Sequence, residues 1–500
     1  MSRKVPSRTG AAAVGAGLLA VASVLTLPAG LAYAATTTQP AWYVDSTLTN
    51  PSVASGATLT RQAFNVDGRG VGVALIDTGV APVPGLPASR VVNGPDLSFE
   101  SQSPTLRYLD TNGHGTHMAG IIAGNDTAAG YTGIAPGAKI TSVKVGTADG
   151  AVDVSQVIAG IDWVVAHRND DTAAPIKVIN LSYGTDSLQD YKTDPLNFAV
   201  ENAWKAGIVV VVAGGNTGVT NRLTSPATDP YVLSVGSVNA RNVPMDYRTV
   251  TGTTVSSFSA STTGRRVDIA APGESIVSLR NPGSYVDTTY PTARVGDALF
   301  KGSGTSQATA VVSGVVALML QKTPSMTPDK VKTYLQTTGS PISNLSPADA
   351  GIKMVNTTSA VALTMYPATT QSFAAATGTG TLEAARGTSH VVDAAVPLSG
   401  ERTVVGPFTS GTWAAASKAK TSWQGGLWMG QRLAGDGWTG TSWASRTWAS
   451  AVWTGTSWSS SAWTDTAWSG RAWSGRAWSG AAWTGRYWSS SQWSSIGWSA

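Results

Sequence analysis

The sequence predicts an α/β fold in which a mostly parallel central sheet carries helices on both faces. Two observations carry that reading. Short apolar, β-branched runs recur without polar alternation, as strands buried on both faces require. Segments with helical spacing of apolar residues lie between them, the order that builds parallel sheets.

The first run, residues 71–76, stops at Asp77, and an acid at the carboxyl end of such a strand lies where open α/β sheets keep their ligands. His114 follows in a glycine-flanked, helix-compatible stretch, 110–124. Residues 138–145 read as a strand, and Val154, Val157, Ile158, Ile161, Val164 and Val165 mark one face of a helix. Strands at 176–182 and 208–212 flank a helix with Phe198 and Trp204, and the second runs into Ala213-Gly214-Gly215-Asn216. After strands at 231–238 and 266–271, the glycine-rich stretch 301–304 turns into an apolar run that opens a helix at Thr305-Ser306. Thr327-Pro328 reads as the N-cap and first residue of a helix reaching Thr338.

Composition bounds the chemistry. The 500 residues are 42% hydrophobic and 13% charged, enough for a large core. With no cysteine, a disulfide framework, a thiolate metal site and a cysteine nucleophile are excluded. Residues 1–34 read as a secretory signal peptide: Arg3, Lys4 and Arg8, then an apolar stretch, then Ala32-Tyr33-Ala34 as cleavage site. An uncleaved membrane anchor is the competing reading. Of the net charge of +5, three positive charges lie in that segment, and the remainder is too small to indicate a nucleic-acid partner. Residues 35–69, rich in Thr, Ala, Pro and Ser, read as a short, loosely packed lead-in.

The polar residues at these strand and helix ends form a set. A serine at the positive end of a buried helix is placed to act as a nucleophile. Ser306 then needs a base, for which His114 is the best of four histidines, and an acid to orient that base, for which Asp77 serves. The Asn216 amide and the Ser306 N–H are candidate donors to an oxyanion. A metal reading of His114 and His117 lacks a third ligand and the acid of a zincin helix, so one histidine serves as base and the other packs.

The order Asp, His, Asn, Ser, with Ile76-Asp77-Thr78-Gly79, Asn112-Gly113-His114-Gly115-Thr116-His117, Ala213-Gly214-Gly215-Asn216 and Gly304-Thr305-Ser306, resembles the subtilisin-like serine peptidases, or subtilases. Gly133-Ile134-Ala135-Pro136-Gly137-Ala138 and Ala270-Ala271-Pro272-Gly273 are similar as well. The resemblance implies a subtilisin-like three-layer fold over residues 70–364 and a serine endopeptidase acting on extended polypeptides. It implies Asp77, His114 and Ser306 as the triad and Asn216 as the oxyanion residue. Ser182-Tyr183-Gly184 would bind the substrate backbone as an added strand. Ala213 and Gly214 would also be substrate-binding, and Gly215 would floor the pocket for the residue before the scissile bond. No cofactor is required for the chemistry. Structural calcium is compatible with the resemblance, but no ligands can be named, so the metal assignment stays unknown. Gln307-Ala308-Thr309-Ala310 departs from the usual Met-Ala-Ser/Thr-Pro, and the lead-in is too short for the family's folding propeptide.

Residues 365–412, rich in Ala, Thr and Gly, read as an accessory segment or linker, and 413–500 as a tryptophan-rich tail. Sixteen of the 19 tryptophans lie there, and over 438–498 they recur every five residues between Ser, Thr, Gly and Ala. Five fits neither the helical nor the strand period, so low complexity, a β-repeat and a disordered tether all stay open. Seven Lys and Arg against two Asp make the tail basic, which would suit an anionic cell-wall or envelope polymer stacked on exposed indoles. The alternative function is therefore a cell-envelope adhesion protein that uses the peptidase fold as a scaffold. Either way the chain is expected outside the cell.

Overall fold

A computed structural model describes residues 40–433, apart from 41, 43–44, 46, 88, 103–105, 220–221, 241–252, 344, 363–369, 394–395, 425, 432 and part of the side chains near 394. The signal peptide at 1–34 and the tryptophan period at 438–498 lie outside the described residues.

The sheet is built from β1 (Gly72–Asp77), β2 (Val91–Asp96), β3 (Lys139–Lys144), β4 (Ile176–Leu181), β5 (Val209–Ala213), β6 (Leu233–Asn239), β7 (Ile269–Pro272), β8 (Ser340–Pro341) and β9 (Lys353–Met354). Their order is β8-β9-β7-β6-β5-β4-β1-β3-β2, with every neighbour parallel except the β8–β9 pair. All six residues of β1 are buried, which accounts for its uninterrupted apolar run. β2 has no strand pattern because Gly94-Pro95 interrupts it. It stands at the sheet edge, where a proline removes no ladder bond.

Helices α3 (His114–Ala123) and α6 (Thr305–Lys322) pack on each other and on the sheet; α4 (Val154–His167) and α5 (Pro195–Lys205) do likewise as a second pair. α4 starts in a capping box, Asp153 accepting from Ser155 N at 3.0 Å and Gln156 Oε1 accepting from Asp153 N at 2.7 Å. α7 (Pro328–Thr338) has Thr327 as its N-cap and Pro328 as its first residue, as expected. Among the described residues no helix is long and apolar enough to cross a membrane.

Two expectations need correction. The stretch 35–69 is not a loose lead-in throughout. It holds α1 (Pro51–Ala54) and α2 (Ala57–Phe64), and α2 packs on α8 (Thr357–Ala362) with Thr60 Oγ1 2.9 Å from Thr358 Oγ1. Arg61 donates to the carbonyls of Gly133 and Ile134 at 2.8 and 3.0 Å. These contacts join residues far apart in the chain, so composition does not announce them.

Nor is 365–412 a linker followed by a tail from 413. Residues 370–433 cover α4 and α5 by way of α9 (Leu382–Arg386), α10 (Ser410–Lys418) and a tight hairpin in which Trp423 lies opposite Trp428. Arg386, with no exposed side-chain surface, pairs with Asp153 at 2.6 Å. The indoles of Trp413 and Trp428 donate to Asp162 Oδ2 at 2.8 and 2.9 Å, and Trp423 donates to Ala159 O at 2.8 Å. Phe408, Trp413, Trp423, Trp428 and Leu433 keep the five-residue phase of the downstream tryptophans and are all buried. Lys418, in the same phase, is exposed. The described tryptophans of this region are thus core residues, not exposed binding platforms.

Candidate active site

Asp77 closes β1 and His114 opens α3. Gly113, the N-cap of α3, is at φ +105°, where a Cβ would lie 2.5 Å from Ser284 Oγ. His114 Nδ1 is 2.8 Å from Asp77 Oδ1 and 3.0 Å from Oδ2, and neither side chain is exposed. Thr78 N also donates to Asp77 Oδ1, at 2.7 Å. Burial pushes His114 down to about 3 and Asp77 up, so at neutral pH the ring is uncharged. With Asp77 ionised its oxygens only accept, which places the ring proton on Nδ1 and the basic lone pair on Nε2.

Sequence reasoning missed the groups behind this pair. Asp110 accepts from Thr78 Oγ1 and Gly113 N at 2.7 Å each, and from Thr116 N and Thr116 Oγ1 at 2.8 and 2.6 Å. One buried carboxylate thereby ties the end of β1 to the start of α3. Lys144, 1% exposed at the end of β3, donates to Thr78 O and Gly146 O at 2.8 Å each and pairs with Glu100 at 2.9 Å. A buried lysine is tolerated only with such partners. The one available signal for Asp110 was an acid four residues before His114.

Ser306 is the second residue of α6. Its Oγ lies 3.5 Å from Ser182 O, and Ser182 Oγ donates to Ser306 O at 3.2 Å. Ser182 follows the last residue of β4, which pairs with β1 in the register Leu75 to Asn180. Two residues further along, Asp77 and Ser182 come level at the carboxyl ends of adjacent strands. The sheet therefore brings the Asp77–His114 pair and Ser306 to one edge.

Asn216 Oδ1 accepts from Thr305 N at 2.8 Å and Thr305 Oγ1 at 2.9 Å, which fixes the direction of its amide. A Cβ built on Gly304 would lie 3.5 Å from Asn216 Nδ2 and 3.6 Å from Ser306 N. Both donors therefore lie near Gly304 at the positive end of an 18-residue helix, and the Gln307 Oε1 acceptor lies nearer still to that position, at 2.8 Å.

The expected substrate-binding residues divide. Gly184, among the described residues, has no partner for its backbone N–H and C=O, whereas Gly214 donates to Val235 O and accepts from Thr224 N. Gly215 donates to Thr305 Oγ1 and accepts from Ala260 N. Ser182 and Tyr183 continue from β4, and Ala213 is the buried last residue of β5. Gly214 and Gly215 can thus serve as walls but not as strand partners.

His117, 1% exposed, has Nε2 3.2 Å from Phe300 O and takes the packing role. No cluster of three or more His, Asp or Glu side chains that could hold a metal occurs among the described residues.

Burial holds His117 down to about 3. Between that value and about 6.5 the unfolded chain binds the extra proton, so stability rises with pH across this window and is lost as pH falls through it. His117→Gln is expected to flatten the dependence of unfolding free energy on pH between 4 and 6.5 by up to about 1.4 kcal/mol per pH unit. Urea titrations at several pH values would show this, and an unaltered slope would count against the burial argument.

A model described as the subtilase family matches residues 68–379. The chain is 39% identical to serine protease AprX of Bacillus subtilis (strain 168), over 56% of this chain and 63% of AprX. It is 35% identical to the minor extracellular protease Epr of the same strain, over 52% of this chain and 33% of Epr. With subtilisin DY of Bacillus licheniformis it shares 32% identity, over 55% of this chain and 86% of that protein. It therefore spans less than two thirds of AprX and a third of Epr. The family match runs over more than half of the chain and takes in Asp77, His114, Asn216 and Ser306; the chain belongs to the subtilase family.

Proposed function

We propose that the protein is a secreted serine endopeptidase. The observation that carries this is the 2.8 Å Asp77–His114 contact, brought by sheet register to the strand edge where Ser306 is held. In this reading His114 Nε2 takes the Ser306 Oγ proton as Oγ bonds to the peptide carbonyl carbon. The carbonyl oxygen, now an anion, accepts from Asn216 Nδ2 and Ser306 N. Collapse breaks the C–N bond, and the imidazolium gives its proton to the departing amine. Water then repeats the sequence on the acyl-enzyme, restoring Ser306. Asp77 holds the ring in the required tautomer throughout and stabilises its charged form. The open backbone of Gly184 suits pairing with an extended substrate strand.

Secretion is supported by the basic, apolar and Ala-x-Ala order of residues 1–34, and the extracellular role printed for Epr agrees. A fluorophosphonate probe on folded protein tests the nucleophile: peptide mapping should find the label on Ser306, and labelling elsewhere or nowhere excludes the mechanism. Asn216→Ala is expected to lower kcat by about 10²–10³ with KM little changed, a magnitude taken over from the corresponding asparagine of subtilisin. Steady-state kinetics on a chromogenic peptide would check it; a loss in KM alone would remove Asn216 from the oxyanion role.

A further inference from the structure

Gln307, the residue after Ser306, stands where the usual family pattern has Met. It is 0% exposed, and among the described residues neither Oε1 nor Nε2 has a hydrogen-bond partner. Other polar side chains along α6 are engaged. Thr309 Oγ1 donates to Thr305 O at 2.7 Å, and Ser313 Oγ donates to Asn180 Oδ1 at 2.9 Å. Gln321, the other glutamine of the helix, accepts from Asp67 N and Gly68 N at 2.7 and 2.6 Å. An unpartnered buried amide destabilises the fold that carries it, so one beside a reactive group calls for a ligand.

The amide lies at the proposed site. Gln307 is three residues on from Gly304, the N-cap of α6, and side chains on a helix lean toward its N-terminus. A Cβ on Gly304 would accordingly lie 2.8 Å from Gln307 Oε1, with Asn216 Nδ2 and Ser306 N at 3.5 and 3.6 Å. Gly304 thus leaves room for the tip of Gln307 beside the two proposed oxyanion donors. Burial does not set it apart from the reacting groups, since His114 Nε2 is covered as well and Ser306 is 3% exposed.

Its side of the serine follows from the helix. Ser306 turns toward β4, with Oγ 3.5 Å from Ser182 O. The next residue projects about 100° further round the axis, off Ser182 and over Gly304. In the proposed reading Ser182-Tyr183-Gly184 and Gly215 hold the chain before the scissile bond. The chain beyond that bond leaves on the opposite flank of Ser306, where Gln307 stands.

We infer that Gln307 is a specificity-determining residue that binds the departing segment, Nε2 donating to the carbonyl of the first residue beyond the scissile bond. Oε1 is left to accept an N–H of the same segment, so one primary amide meets both kinds of backbone group. The inference rests on the proposed peptidase activity. It makes a peptide carbonyl on the leaving side part of what the enzyme recognises, and it disfavours simple amides.

The test uses the full chain and two substrates that share one acyl peptide. One has leucinamide as its leaving group; the other has isopentylamine, which keeps the leucine side chain and lacks the carbonyl. Gln307→Met, which restores the residue usual in the family, is expected to lower the leucinamide-to-isopentylamine ratio of kcat/KM by about tenfold or more, the effect of one hydrogen bond lost from a buried site. Taking the change in ratio cancels the different basicities of the two amines. The same variant should melt no lower than the wild type, because it removes unpartnered polar atoms from the interior. A lower melting temperature with the ratio unmoved would mark a structural residue and overturn the inference. So would an unmoved ratio in which both rates fall together, as they would if the amide served the oxyanion or the acyl chain. Cleavage of neither substrate by the wild type removes the peptidase reading itself, and this inference with it.

Discussion

Ser306→Ala is expected to reduce kcat for peptide hydrolysis by about 10⁶, the scale found when the nucleophile of subtilisin is removed. The size follows from the division of labour at this strand edge. In the proposed mechanism, neither the proton transfer to His114 nor the acyl-enzyme exists without Oγ, so the losses do not add separately. What remains is the pair proposed as oxyanion donors, Asn216 Nδ2 and Ser306 N, which the substitution leaves where they are. They support a residual about 10³–10⁴ above the uncatalysed rate. Because Ser306 is 3% exposed and its Oγ makes only a 3.5 Å contact to Ser182 O, folding should survive the change. Single-turnover kinetics, with a melting curve recorded alongside, would separate the two effects. Retention of full proteolysis would place the nucleophile elsewhere.

Arg386→Ala is expected to cost about 3–5 kcal/mol of folding stability, the range for breaking a buried ion pair from one side. The guanidinium has no exposed surface and serves Asp153 and Glu383 at 2.6 and 3.0 Å, besides donating to Gly400 O and Arg402 O. Removing it strands Asp153, the N-cap of α4, as a buried carboxylate. Trp413→Ala should cost a similar amount, about 3–5 kcal/mol for a fully buried indole. It also takes one donor from Asp162, which accepts from Trp413, Trp428 and Ser417. Against a usual margin of about 5–15 kcal/mol, a chain truncated after residue 379 should lack a cooperative unfolding transition. Lys418→Ala, exposed and in the same five-residue phase, serves as the control and should stay within about 0.5 kcal/mol. Urea denaturation of the three full-length variants would decide; wild-type stability for Arg386→Ala would mean the segment is an ornament on a self-sufficient domain.

The sequence itself determined the alternation of strand and helix and the family, and it named the groups proposed to react, since each is written in a short local pattern: an apolar run ending at Asp77, glycines around His114, small residues before Ser306. Tertiary structure alone decided which groups stand behind them. Asp110 and Lys144 look like ordinary turn and strand-end charges until the sheet buries them against Thr78. Composition reads 365–412 as accessory segment or linker and 413–500 as tail because tryptophans among Ser, Thr and Gly have no helical or strand period. Whether an indole faces water or a carboxylate some 250 residues away is a matter of shape and burial across the chain, and no local pattern records it.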